Sequence, residues 1–122
     1  MILADTSVWI SHLRSGVPVL AELLEAGVVL THPMVIGELA MGSLSGRDEV
    51  LGLMTSLPAV TIARHDEVLS FVDKRGLHGR GLGWVDVHLL SSTLLTPEAR
   101  LWTQDQRLET AARQLAVAWS PA

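Results

Sequence analysis

Apolar positions along this chain fall into two rhythms. Short compact runs, several rich in β-branched residues, alternate with longer stretches in which apolar residues recur every three or four positions. The first rhythm predicts strands and the second helices. Read in order, residues 2–5 predict a strand, 7–14 a helix, and 18–26 a second helix with Pro18 near its start and Gly27 past its end. Residues 28–31 predict the second strand. Pro33 then opens the helix PMVIGELAMGS, and another helix covers 47–56. Residues 58–63 predict a third strand and 66–75 a helix. A loop spans 76–83, with glycines at 76, 79, 81 and 83. Residues 84–95 predict a helix, 100–103 a strand, 106–116 a last helix and 117–119 an edge strand. Short apolar strands alternating with helices imply an α/β fold with a parallel sheet of about five strands, covered on both faces. Ligands of such sheets bind outside the carboxyl ends of the strands.

Four acidic residues interrupt this pattern. Asp5 ends the first apolar run. Glu38 stands among Met34, Val35, Ile36, Leu39, Ala40 and Met41. Asp86 lies in WVDVHLL, and Asp105 follows the apolar run RLWT by one residue. An isolated ionised carboxylate in an apolar site is expensive unless it is paired or binds a cation. Simpler roles exist for each. Asp5 and Asp86 suit helix N-caps. Thr103 and Gln106 form a capping-box pattern with Asp105 in the first turn, and Glu38 suits an ion pair with an arginine. What unites the four is position. Asp5 and Asp105 fall at carboxyl ends of predicted strands, and right-handed crossovers bring those ends to one edge of the sheet. Helices starting at that edge bring Glu38 and Asp86 toward the same cleft. Four carboxylates there make an oxygen-rich site suited to Mg²⁺ or Mn²⁺.

Composition narrows the alternatives. The 122 residues predict a single domain over 1–122, with 48% hydrophobic residues and a net charge of −4. The four acids account for that entire charge, so the rest of the surface is neutral overall and an anion would be held by local cations rather than a general field. Arg14, Arg47, Lys74, Arg75 and Arg80 are the candidates. Arg80 lies in the glycine-rich KRGLHGRG stretch, which reads either as a phosphate cradle or as a plain connector. There is no cysteine, hence no disulfide or thiolate metal site. His12, His32, His65, His78 and His88 show no zinc-like spacing. No apolar run approaches the roughly 18 residues of a membrane span, and the first residues do not resemble a secretory signal. A cytoplasmic protein with no membrane association is the resulting expectation. The five aromatic residues, Trp9, Phe71, Trp84, Trp102 and Trp119, read as core or interface.

The stretches ILADTSVWI, PMVIGELAMG, GWVDVHLL and LWTQDQRL resemble, in order and spacing from Ile2 to about Leu115, the motifs of PIN-domain nucleases. The closest resemblance is to the VapC-type ribonuclease toxins of bacterial toxin–antitoxin pairs. It implies a three-layer α/β/α sandwich and an acidic quartet of Asp5, Glu38, Asp86 and Asp105. Thr6 or Ser7 matches the polar residue after the first acid, and Thr103 the hydroxyl residue two before the last. The implied activity is divalent-metal-dependent hydrolysis of RNA, leaving a 5′-phosphate and a 3′-hydroxyl. Asp5, Asp86 and Asp105 would be direct or water-mediated ligands of Mg²⁺ or Mn²⁺, with Glu38 a further ligand or the residue orienting water. The implied partners are the RNA substrate, a small antitoxin and a second copy of the chain. The antitoxin is expected around Val8–Leu24 or on the PMVIGELAMG helix. The glycine-rich stretch before WVDVHLL departs from the family pattern.

Other readings make different demands. A PIN-domain RNA-processing nuclease would share the quartet, and a non-catalytic PIN-like scaffold would have no use for it. Aspartyl-phosphate phosphatases and receiver domains also place an Asp after the first strand. The phosphatases want a second acid where Ser7 stands, and both classes use a late lysine. Lys74 is the only lysine here.

Overall fold

The computed structural model describes residues 1–121. Its elements are β1 (Ile2–Ala4), α1 (Thr6–Ser15), α2 (Pro18–Glu25), β2 (Val29–Leu30), α3 (Pro33–Ala40), α4 (Arg47–Ser56), α5 (His65–Arg75), α6 (Trp84–Leu95), β3 (Arg100–Trp102) and α7 (Gln106–Gln114). The sheet is parallel, in the order β2-β1-β3. Ile2 pairs with Val29 on one side and Arg100 on the other, and Ala4 pairs with Trp102. All three residues of β1 are buried, so both faces of the central strand are covered. Leu3 and Ala4 are fully enclosed in a core with Val8, Leu20, Val35, Leu90 and Leu108. Helix α1 packs on β1 and α3, and α6 on β3 and α5.

The sheet is narrower than the expected five strands. Residues 58–63 supply only one parallel bridge, Ala59 to Thr31, and 117–119 only Ala118 to Leu101. Side chains of α6 and of its C-cap Thr96 take the amides that would extend the first ladder. Thr61 N–H donates to Thr96 Oγ1 at 2.9 Å, and Ala63 N–H to Ser92 Oγ at 3.3 Å. At the other edge, Leu101 N–H donates to the Val117 carbonyl and Trp119 N–H to the Leu101 carbonyl, and Pro121 then offers no N–H. Helix α3 also stops earlier than expected, at Ala40. The Arg47 guanidinium occupies the Ala40 carbonyl, with Nη2 at 3.0 Å. That contact gives Arg47 a structural task.

Candidate active site

Asp5 sits where β1 hands over to α1. Its Oδ1 accepts from Val8 N–H at 3.3 Å and from the Ser7 hydroxyl at 2.5 Å. Its Oδ2 accepts from the Thr103 hydroxyl, at the exit of β3. Each hydroxyl also receives a bond. Gln104 N–H donates to Ser7 Oγ and Asp105 N–H to Thr103 Oγ1, both at 3.0 Å. Thr103 therefore does not cap α7. Asp105 does, accepting Leu108 N–H at 3.0 Å. Burial raises the Asp5 carboxyl above the ordinary Asp range, while the Ser7 and Thr103 hydroxyls and the Val8 and Ser7 amides pull it back.

Asp86 lies in the first turn of α6. It is the third residue of the helix rather than its cap, and its Oδ2 accepts Gly83 N–H at 2.8 Å. Its carboxyl is also raised. Burial is the largest cause, opposed by the Gly83 amide, and the negative charges of Asp105, Asp5 and Glu38 push it further. The three other acids of the sequence pattern thus lie within electrostatic reach of Asp86. Glu38 departs from expectation. It is exposed rather than enclosed, because it lies on the outward face of α3 while Val35 and Leu39 enter the core. Thr6 Oγ1 donates to its Oε1 at 2.6 Å, so the ion-pair reading gives way to a hydroxyl contact.

Asp5 and Asp105 cap α1 and α7 as expected, whereas the N-cap of α6 is Gly83 and not Asp86. These helix-start bonds use one oxygen each of Asp86 and Asp105 and leave the other without a protein hydrogen bond among the described residues. Among those residues no three His, Asp or Glu side chains converge tightly enough to hold a metal by themselves. Such a spread donor set fits Mg²⁺, which retains several waters and takes only one or two carboxylates directly. The donors are all oxygen, and like charge around Asp86 is what a cation would relieve.

The PIN-domain family profile matches residues 2–114. The chain belongs to the PIN-domain family. Two curated relatives, both Ribonuclease VapC32, come from Mycobacterium tuberculosis strains CDC 1551 / Oshkosh and ATCC 25618 / H37Rv. Each is 52% identical over 118 residues, covering 97% of this chain and 95% of the relative.

In this PIN domain the basic candidates separate. Lys74 and Arg75 line a cavity of about 520 Å³ along α5 and the second half of α6, which includes none of the four acids. Arg80 instead reaches α7, where its Nη2 donates to Gln114 Oε1 at 2.6 Å. Arg107 lies within LWTQDQRL without a role assigned to it there, yet it lines a cavity of about 300 Å³ with Arg80. The only sequence cue was its position two residues after Asp105. Trp9 and Trp102 are buried as expected, whereas Trp84 is 39% exposed. No helix among the described residues is long and apolar enough to cross a membrane.

The Thr103 hydroxyl joins the two halves of the centre, which makes it testable alone. Replacing Thr103 with Val keeps the shape and removes both hydrogen bonds. The expected loss is about 2 kcal/mol, the range of hydrogen bonds to charged groups. Urea denaturation at neutral pH measures it, and Thr103→Ser should recover most of the loss.

Proposed function

We propose that this chain is a divalent-metal-dependent endoribonuclease of the VapC type, the toxin of a toxin–antitoxin pair. The observation that carries the reading is a PIN domain 52% identical to proteins named ribonucleases, in which the Thr103 hydroxyl donates to Asp5 and accepts from the Asp105 amide, tying the acid after β1 to the turn after β3. Asp5, Asp86 and Asp105 would hold Mg²⁺ or Mn²⁺, directly or through water, and a cation there would supply a water of lowered pKa and positive charge for the scissile phosphate. Thr103 and Ser7 fix the Asp5 carboxylate by a hydrogen bond to each oxygen. Glu38, held at Oε1 by Thr6, keeps Oε2 to orient the attacking water and accept its proton. The water oxygen bonds to phosphorus as the bond to the 3′ oxygen breaks. That oxygen takes a proton from solvent water as it leaves, giving a 5′-phosphate and a 3′-hydroxyl, and Glu38 returns its proton to solvent. Lys74, on α5 in a cavity apart from these acids, disfavours the aspartyl-phosphate readings.

The same reading extends to the chain's setting. It is a single domain whose helices sandwich the sheet in three layers, supported by the buried faces of β1. It is cytoplasmic, dimeric, and neutralised by a small antitoxin. The test is cleavage of single-stranded RNA by the purified chain. Activity should appear with Mg²⁺ or Mn²⁺, stop in excess EDTA and return when metal is restored. Cleavage undiminished by EDTA would overturn the metal-dependent mechanism.

A further inference from the structure

Two arginines meet where the loop before α6 lies against the start of α7. Arg80 comes from the loop before α6 and Arg107 from the first turn of α7, and with Gln106 and Thr110 they line the same surface cavity of about 300 Å³. Each is held by the other's element. Arg80 leans on α7 through Gln114 at 2.6 Å. Arg107 lies across Gly81, so closely that a Cβ at Gly81 would stand 2.6 Å from its Nη1. Gly81 has φ 77°, which a glycine adopts without penalty. Neither arginine forms a salt bridge among the described residues, whereas Arg47, Arg64 and Arg113 do. Two guanidinium groups fixed in one cavity without a carboxylate partner leave donors and charge to be satisfied by an anion.

The position identifies that anion. Arg107 follows Asp105 by two residues, and Arg80 precedes by three the Gly83 whose amide holds Asp86. We propose that Arg80 and Arg107 form a phosphate-binding subsite that grips the RNA backbone next to the scissile bond, an inference that rests on the ribonuclease reading above. The subsite reads phosphate and not base, so it positions the strand without selecting sequence. Its positive charge also offsets the repulsion between the acidic quartet and the phosphate backbone.

The test compares the full-length chain with Arg107→Gln, Arg80→Gln and Arg64→Gln. The last removes the same charge from a salt bridge at the start of α5. Binding of a fluorescent single-stranded RNA is measured in EDTA over a salt series, and cleavage kinetics with Mn²⁺. Each lost phosphate contact should flatten the slope of log affinity against log salt by about 0.7. Arg107→Gln and Arg80→Gln should show this and raise KM several-fold with kcat nearly unchanged. Arg64→Gln should match the parent. Arg107→Lys should recover part of the affinity, since it restores charge without the planar fork. A parent that cleaves RNA while the Arg80 and Arg107 variants bind and cleave as it does overturns the subsite alone. Equal losses in all three Gln variants also overturn it, as a general charge effect. A parent that neither binds nor cleaves RNA overturns the ribonuclease reading itself.

Discussion

Asp86→Asn should abolish RNA cleavage while leaving the metal-free protein as stable as the parent or more so. The change keeps an oxygen to accept Gly83 N–H, so the first turn of α6 is preserved. What disappears is one negative charge facing Asp105, Asp5 and Glu38. An acid whose pKa is raised in the folded state carries a destabilising ionised form. That penalty grows as pH rises through the folded pKa and is fully present at neutral pH. Removing the charge removes the penalty. Partners that merely support metal ligands cost 10–100-fold when lost, so losing a ligand should cost more than about 100-fold in cleavage. Mn²⁺ should raise the melting temperature of the parent more than that of the variant, because a ligand that binds only the folded state stabilises it by mass action. Melting curves in EDTA and in Mn²⁺, with cleavage assays on both proteins, decide the matter. An active variant with the parent's metal response would remove Asp86 from the centre and leave it a helix residue.

Stability should fall as pH drops from about 6.5 to about 4, and His32 should account for most of the fall. His32 is 1% exposed at the N-cap of α3. Its Nδ1 accepts Met34 N–H at 3.0 Å, which places the ring proton on Nε2, 3.2 Å from Ser92 Oγ. A second proton would set two donors against each other at Nδ1. Burial, with His88 nearby, lowers the ring to about 4. For a base lowered on folding, the unfolded chain binds the proton first. Stability is therefore fully present above about pH 6.5 and declines toward pH 4. At 1.36 kcal/mol per pKa unit the loss across that window is about 3 kcal/mol. Buried His88, also lowered chiefly by burial, adds in the same direction. Asp5 and Asp86 are raised and act oppositely at the acid end. The difference between parent and His32→Asn cancels those contributions, since asparagine caps without titrating. Denaturant melts at several pH values should give a flatter profile for the variant. Parallel profiles would show that His32 is not the titrating group.

Asp5 and Asp105 were legible in the sequence because an acid directly after a short apolar run marks a strand's carboxyl end, and parallel pairing places those ends together. Asp86 was legible as an acid in an apolar helix start. The surroundings of Glu38 were not. Helical periodicity tells which residues can share a face, but the apolar neighbours of Glu38 along the chain point inward while it points out. The outer strands were over-read for a related reason. Residues 58–63 have strand composition, yet hydroxyls arriving from α6 and its C-cap, far along the chain, claim their amides. Thr103 fits both a capping pattern and a hydroxyl that bonds a carboxylate, and the structure has the second, with Asp5 as a partner that no local signal encodes. His32 is an uncommon N-cap, so its burial and its role escaped composition-based reading. Arg107 likewise acquires meaning only when α7 lies against the loop at Gly81.

The hydrogen bond between Thr103 and Asp5 joins residues 98 positions apart. It has a consequence for synthesis. Ribosomes make the chain from Asp5 toward Asp105, and domains form as their segments emerge. Until residues 100–105 exist, β1 lacks its neighbour β3, and Asp5 lacks both the Thr103 hydroxyl and the nearby Asp105 carboxylate. A chain made only as far as residue 99 therefore carries an open sheet edge at β1 and an Asp5 carboxylate without its distant hydroxyl partner.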